Sequence, residues 1–319
     1  MVRIVVDDDR SAGYECKRVV RYCVSWWLWP LAKRLPAAWM GWLVTGTSLH
    51  MEDIVRYRRT HRALALIYNW SRSEADIPGI HRPRPERHWY NKAMACIWEA
   101  VVVSGAAARN RFRHVKQLTR AAIEAAPPTA TFTILSLGSG SAQAVIETMA
   151  EVRSRCPERK VTLHAVDRSA LARRDCLALA AGLGIPAERV RVAGCNIRKL
   201  SALERVLGEY QYDEIEVVGF SEYHDGAWLV ELSRLLCRHL RTEGMLLLNN
   251  ARRGRESWFT EEVLRWHLEF KEPWELGRIL VDAGFAESDV EVIGEPTGIF
   301  WMAKGVRRAE PGYQSHSVR

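Results

Sequence analysis

Segments with the composition of strands alternate with amphipathic helical segments from Thr131 to Lys304, and this alternation restricts the fold more than any other feature. The predicted strands cover 131–137, 160–166, 190–193, 214–220, 245–248, 290–293 and 299–303. Helices are predicted at 141–155, 170–183, 200–207, 227–240 and 272–283. This order predicts the α/β class, with a doubly wound, seven-stranded, mainly parallel sheet covered by helices on both faces.

The first part of the chain has a different pattern. Apolar residues recur three and four positions apart in 54–70 and 93–103, a proline-rich loop covers 78–87, and Pro127 and Pro128 interrupt the chain. Eight of the thirteen Trp residues lie in this part. We therefore predict an all-helical, Trp-rich cap at 1–126, a Rossmann-like domain at 127–306, and a polar, disordered tail at 307–319.

Three features at the predicted strand ends indicate a nucleoside-binding site. Gly138 and Gly140 lie in the first strand–helix turn, where glycine lets the backbone approach a ligand closely. Asp167 ends the second strand and is placed to accept hydrogen bonds from ribose hydroxyls. Asn196 follows the third strand, and its amide offers both a donor and an acceptor to a base edge.

The stretch 134–304 resembles the class I S-adenosylmethionine-dependent methyltransferases. The shared motifs are LSLGSG at 135–140, HAVD at 164–167, AGF at 283–285 and the final strand pair ending in GIFW at 298–301. The resemblance implies a Rossmann-like methyltransferase fold with S-adenosylmethionine as cofactor.

The resemblance also implies roles for single residues. Gly138 and Gly140 would approach the methionine part, Asp167 would hold the ribose and Asn196 would face the adenine. The full set of expected cofactor contacts is Ser136, Gly138, Ser139, Gly140, Asp167, Arg168, Cys195, Asn196, Phe220 and Ser221. The family usually has an acid at the position of Ser136. NAD is disfavoured because Gln143 occupies the place of the third glycine in a dinucleotide fingerprint.

The loop after the fourth strand supplies the candidate catalytic residues, His224 and Tyr223. A histidine with an ordinary pKa can act as a general base, and a tyrosine ring can contact a sulfonium through a cation–π interaction. The structural alternative is that both residues cap the following helix and its loop.

The acceptor is expected to be a small molecule, and an anionic group on it is one option. Nine Lys or Arg residues lie between His81 and Arg120, opposed by two Glu residues, and such a stretch favours anionic partners. The expected substrate contacts are Tyr90, Asn91, Arg109, Arg111 and Asn249. Helix-end charge compensation is the alternative for the two arginines.

Three other functions stay open at this stage. Ser136 in place of an acid is compatible with an enzyme that transfers or cyclises the aminobutyryl group and releases methylthioadenosine. The basic stretch is compatible with an RNA methyltransferase, although the absence of an Asn-Pro-Pro-Tyr run makes a nucleic acid substrate unlikely. A catalytically silent partner protein is the third.

The remaining composition bounds the setting of the protein. The seven cysteines are irregularly spaced, with no pair at C-x-x-C distance, so neither a disulfide framework nor a metal site is expected and the cytoplasm is the predicted compartment. The apolar run at 23–32 is too short to span a bilayer. Its Trp-rich, basic character leaves open contact with a membrane surface, with a second subunit in a homodimer, or with its own core.

Overall fold

The computed structural model describes residues 2–7, 23, 26–27, 29–70, 78–81, 84–86 and 88–309. The tail at 310–319, which falls in the segment predicted to be disordered, lies outside the described residues. The helices, numbered in chain order, are α1 (Ala37–Thr47), α2 (Leu49–Arg56), α3 (His61–Tyr68), α4 (Trp89–Val101), α5 (Val103–Ala125), α6 (Gln143–Arg155), α7 (Ala170–Gly182), α8 (Leu200–Leu207), α9 (Gly226–Arg238) and α10 (Pro273–Asp282).

The strands form one sheet with the order β1-β7-β8-β6-β5-β2-β3-β4. They are β1 (Arg3–Val6), β2 (Thr131–Leu137), β3 (Lys160–Val166), β4 (Val190–Ala193), β5 (Tyr212–Val217), β6 (Leu240–Ala251), β7 (Val290–Gly294) and β8 (Phe300–Val306). Only β8 runs antiparallel to its neighbours. The predicted fold class is confirmed, and several predicted strand bounds coincide with the observed ones.

The sheet has eight strands where the sequence predicts seven. The additional strand, β1, pairs in parallel with β7 at the sheet edge, with Arg3 opposite Glu291. A four-residue strand carries too little periodicity to be distinguished in a sequence, and its partner lies almost the whole chain away. The first described residues therefore belong to the sheet and not to the helical region.

Helices cover both faces of the sheet, and α5 takes part in this packing. Helices α8, α9 and α10 pack on one face around Leu203, Leu232 and Leu280. Helices α6 and α7 pack on the other face, where Ile123 of α5 joins the same cluster and Val115 of α5 contacts the sheet core. Helix α5 thus belongs spatially to the α/β layers, although the predicted domain boundary places it in the cap.

Helices α1 to α4 form a separate apolar cluster together with the chain after β6. Met40, Val44 and Met51 pack with Trp98 and Phe259, and Phe259 begins a single π-helical turn. This cluster lies beside the carboxyl end of β6, and helices α2, α3 and α4 face the sheet edge where ligands bind in such folds. Among the described helices, none is both long and apolar enough to cross a membrane.

Candidate functional site

A cavity of about 570 Å³ opens at the carboxyl ends of β2, β3, β4 and β5. The chain passes from β2 to β3 on one side, while β5 lies on the other side of β2, so the strand order reverses at this point. Such a switch point leaves a crevice between the loops that follow the strands. The cavity therefore lies where the sequence predicts the cofactor.

Backbone conformation explains the two glycines of the first turn. Gly138 has a φ of +62°, and a Cβ built on it would lie 2.6 Å from the Cβ of Phe220. Gly140 has a φ of +54°, and its Cβ would lie 2.6 Å from that of His61. Side chains are excluded at both positions, so the turn keeps open backbone along the cavity wall.

The polar residues at the ends of β3 and β4 line the same cavity. The Asp167 carboxylate accepts hydrogen bonds from the Gly140 amide at 3.0 Å and the Ser169 amide at 2.8 Å. These bonds fix the carboxylate beside the glycine turn. Arg168 and Asn196 also line the cavity and are exposed. The structure therefore brings together most of the expected cofactor contacts.

The carboxylate missing from β2 is supplied by the neighbouring strand. Ser136 is fully buried and donates a hydrogen bond to Glu216 of β5, which stands directly opposite it in the parallel register. Glu216 lines the cavity, whereas Ser136 lies beneath it. Burial raises the pKa of Glu216 to about 7, against the opposing effect of hydrogen bonds from Ser136 and the Val218 amide.

Glu216 is a candidate cofactor contact that the sequence did not single out. It lies inside the predicted fourth strand, EIEVVGF, and the two acidic residues at alternate positions of this otherwise apolar strand, Glu214 and Glu216, were the available signal. The pairing of β2 with β5 across about eighty residues could not be read from the sequence. Ser221, also expected at the cofactor, instead donates its hydroxyl hydrogen to backbone oxygens of Val217 and Asn249 and is fully buried.

The two candidate catalytic residues lie on the cofactor side of the site. His224 is buried between Phe220 and Trp228, with ring centroids 4.6 and 4.1 Å away. Burial, with a contribution from Arg198, lowers the pKa of His224 to about 4, so its ring is neutral near pH 7. Tyr223 also lines the cavity, and its hydroxyl oxygen accepts a 2.7 Å hydrogen bond from the Trp266 indole.

A second cavity of about 780 Å³ lies between the helical cluster, the carboxyl end of β6 and the amino end of the antiparallel β8. Its walls are mainly aliphatic and aromatic, and they include Ile54, Trp98 and Phe270. Leu64 lines both cavities. The two spaces are therefore neighbours separated by a thin wall of side chains.

A buried ion pair forms part of this wall. Arg111 of α5 pairs with Glu222, and its guanidinium also donates to the Tyr68 hydroxyl at 2.7 Å. The Asn249 amide donates to Glu222 at 2.7 Å and accepts from the Gly219 amide at 2.7 Å. Tyr68 lines the first cavity and Glu222 the second, so the array links them.

The five expected substrate residues are dispersed. Tyr90 is half exposed and Asn91 donates to the Thr47 carbonyl, and neither residue lines either of these two cavities. Arg109 lines the second cavity but is paired with Glu99. Arg111 and Asn249 are held within the buried array described above. The arginine pair therefore faces protein carboxylates, and neither guanidinium is placed to grip an anionic substrate alone.

Intramolecular pairing also neutralises much of the basic stretch between His81 and Arg120. The pairs are Arg84 with Asp53 and Glu52, Arg109 with Glu99, Arg111 with Glu222, and Lys116 and Arg120 with Glu151. Arg82 and Arg87 lie outside the described residues. This pairing removes much of the positive field on which an RNA-binding function would depend.

One cluster in the described part of the chain has the residue types of a metal site. Single ligand atoms of His61, His81 and Asp175 lie within 4.8 Å of one another. Both imidazole Nε2 atoms contact the same Asp175 oxygen, at 2.9 and 2.7 Å, and the Arg62 guanidinium is 3.7 Å from it. The two imidazole distances are hydrogen-bond distances and the arginine distance is that of an ion pair, so the cluster ties the cap to α7 beside the glycine turn.

No protein-family model and no curated protein matches the chain. Among solved structures, a protein from Bordetella parapertussis described as a possible exported protein is similar at 17% identity and a TM-score of 0.53, over 65% of this chain and 70% of that one. The carbon methyltransferase CurJ is similar at 12% identity and a TM-score of 0.51, over 84% and 68%. An O-methyltransferase family protein from Burkholderia thailandensis, 18% identical with a TM-score of 0.44, covers 63% of this chain and is itself covered over 59%. The first two similarities establish a shared fold, which is the fold class that the sequence predicts.

Proposed function

We propose that the chain binds S-adenosylmethionine in the first cavity and transfers its methyl group to a small molecule in the second. The observation that carries the proposal is the convergence of the Glu216 carboxylate, the glycine turn and Asp167 at the switch point of the sheet. These groups fit the cofactor's chemistry, because its ammonium needs a carboxylate and its ribose hydroxyls need acceptors. Asn196 supplies the amide that suits an adenine edge.

When bound, S-adenosylmethionine would supply a methyl group that an acceptor lone pair takes as the carbon–sulfur bond breaks. The chain contributes by holding the two reactants in a fixed position relative to each other. Leu64, Tyr68 and Glu222 form the wall where the two cavities meet, and the buried Arg111 holds that wall in place. Fixed geometry between two reactants can lower a barrier by several kcal/mol.

The roles of His224 and Tyr223 follow from their positions. The pKa of about 4 makes His224 a weak base, and its ring lies against the first cavity, so in this proposal it shapes the cofactor site and does not remove a proton from the acceptor. Tyr223 stands between the cavities through its bond to Trp266, and its ring is the candidate for contact with the positively charged sulfur.

The alternative of an aminobutyryl-transferring enzyme rests on Ser136, which stands where the methyltransferase family usually has an acid. Glu216 supplies a carboxylate at the same height of the sheet, so the methionine part can be held as in a methyltransferase. The proposal therefore favours methyl transfer over release of methylthioadenosine.

The test is calorimetric titration of the purified protein with S-adenosylmethionine, followed by mass spectrometry of the products with and without acceptors. We expect binding, an intact cofactor in the absence of an acceptor, and S-adenosylhomocysteine once an acceptor is supplied. Absence of binding would refute the proposal, and methylthioadenosine formed from the cofactor alone would replace it with the aminobutyryl reaction.

A further inference from the structure

The second cavity contains a buried polar group that the described part of the chain leaves without a hydrogen-bond partner. His50 of α2 is 4% exposed and lines this cavity, and its Nδ1 atom has no partner among the described residues. The ring packs against Trp70 with centroids 3.8 Å apart. A buried nitrogen that makes no hydrogen bond costs free energy, and a ligand group that meets it when the imidazole turns toward the cavity would recover that cost.

The charge state of the cavity limits what that group can be. Burial, with a smaller effect of Arg109, lowers the pKa of His50 to about 3, so the imidazole is neutral at physiological pH. Arg109 itself is paired with Glu99 on the same wall. Two further arginines of the wall are also paired, Arg252 with Glu272 and Arg253 with Glu261. A ligand carrying net charge would therefore compete with these carboxylates for its counter-ion.

We propose that the second cavity takes a neutral, largely apolar acceptor, and that a hydroxyl group of this molecule hydrogen-bonds to His50. The claim that the bound molecule is a methyl acceptor rests on the proposed function. The claim that the cavity binds such a molecule rests on the residues that line the cavity. This proposal replaces the expectation of an anionic acceptor, because the two arginines on which that expectation rested already face Glu99 and Glu222.

The test compares two probes of the same shape, 1-hydroxypyrene and pyrene, by fluorescence titration of the full chain. A single hydrogen bond gives a preference of roughly threefold to tenfold for the hydroxylated probe. We expect that His50→Leu removes this preference and that His50→Gln, which keeps hydrogen-bonding atoms, restores part of it. Equal binding of the two probes, or an unchanged preference in His50→Leu, would overturn the inference.

S-adenosylmethionine affinity is measured on the same proteins, so that the two proposals fail separately. We expect the cofactor's dissociation constant to be unchanged in His50→Leu. Loss of cofactor binding in the wild type with retention of the hydroxypyrene preference would refute the proposed function and leave the site intact. Cofactor binding without any probe binding would refute the site alone.

An independent observation concerns the outer surface of the first helices. We name as the tryptophan face the exposed large apolar residues of the first described helical residues and α1: Trp26, Trp27, Leu31, Leu35, Trp39, Trp42 and Leu43. Trp27, Trp39 and Trp42 are 77%, 69% and 75% exposed. Trp29 and Met40 point the other way, into the core, so each segment has one buried and one exposed apolar side.

The sequence segment that carries this face has charge of one sign. Between residues 16 and 51 the sequence has five Lys or Arg residues and no Asp or Glu. Two of the five, Lys33 and Arg34, are exposed between the two helical segments. A two-fold dimer through this face would oppose like charges, because the same patch lies on both subunits. An anionic lipid surface offers the opposite charge and an interface that tryptophan favours.

The geometry points to peripheral binding of the tryptophan face to anionic bilayers. The test is co-sedimentation of the full chain with vesicles of phosphatidylcholine alone and of phosphatidylcholine mixed with phosphatidylglycerol. We expect binding to the mixed vesicles that weakens with salt. Removing two basic charges in Lys33→Gln/Arg34→Gln should reduce the partition coefficient roughly 25-fold, and Trp39→Ser/Trp42→Ser should reduce it at least tenfold.

The control is Trp274→Ser, which removes a tryptophan that is 62% exposed on α10, outside the tryptophan face. It should bind vesicles as the wild type does. Equal loss in this control, or no vesicle binding at all, would overturn the inference. A dimer in light scattering that Trp39→Ser/Trp42→Ser converts to a monomer would show instead that a second copy covers the face.

Discussion

Replacing Glu216 with glutamine tests whether the Glu216 carboxylate binds the ammonium group of S-adenosylmethionine. The substitution keeps the shape of the side chain and removes its charge, so the Ser136 hydrogen bond can persist while the partner for the cofactor's ammonium is lost. A hydrogen bond to a charged group contributes about 1.5–3 kcal/mol. We therefore expect the dissociation constant for S-adenosylmethionine to rise roughly 10- to 150-fold.

The pH dependence of binding gives a second signature of the same carboxylate. Because the pKa of Glu216 is about 7 in the free protein, it is mostly protonated at pH 6 and mostly ionised at pH 7.5. Binding of the ammonium should therefore tighten roughly fivefold over this range, after allowance for the ligand's own amino group, whose ordinary pKa is about 7.7–8.0. In Glu216→Gln the rise should disappear.

Calorimetric titration at the two pH values provides the measurement, and Glu214→Gln provides the matched control. Glu214 lies two residues earlier on β5 and is also buried, but it does not line the cavity. The Glu214→Gln variant should bind the cofactor as the wild type does. If Glu216→Gln binds within twofold of the wild type with the same pH profile, the reasoning about this site is wrong.

Three further outcomes follow from the geometry. Gly138→Ala should weaken cofactor binding at least tenfold, because it adds the clash described above at a positive φ. Gly208→Ala places a side chain at a φ of +57° and a ψ of −133°, a conformation essentially confined to glycine, with no atom within 4 Å of the new Cβ; it should cost only backbone strain, about 1–3 kcal/mol in unfolding free energy. Arg111→Ala should cost about 3–5 kcal/mol of unfolding free energy in urea titrations, because Glu222 would be buried without its counter-ion; a loss within the range of surface substitutions would contradict this. Burial raises the pKa of Glu214 from 4.5 to about 8, so the folded state holds more protons than the unfolded state between these pH values. The free energy of unfolding should therefore fall as pH rises through that window. Thermal melts should show a weaker dependence of the melting temperature on pH in Glu214→Gln.

The sequence determined much of the cofactor site because its parts are local. The glycine turn, Asp167 and Asn196 each follow directly after a strand, and carboxyl ends of parallel strands meet at one edge of the sheet. Their convergence therefore requires only that the strands be identified and run parallel.

The remaining parts depend on pairings between distant residues, which only the tertiary structure decided. The β2–β5 register that sets Glu216 opposite Ser136, the addition of β1 to the sheet edge, and the pairing of Arg111 with Glu222 all join residues far apart in the chain. The free energy of such contacts comes from burial and charge neutralisation in a packed interior, and neither leaves a periodic trace in the sequence. The second cavity also depends on tertiary structure, because its volume is set by how distant helices, strands and loops pack around it.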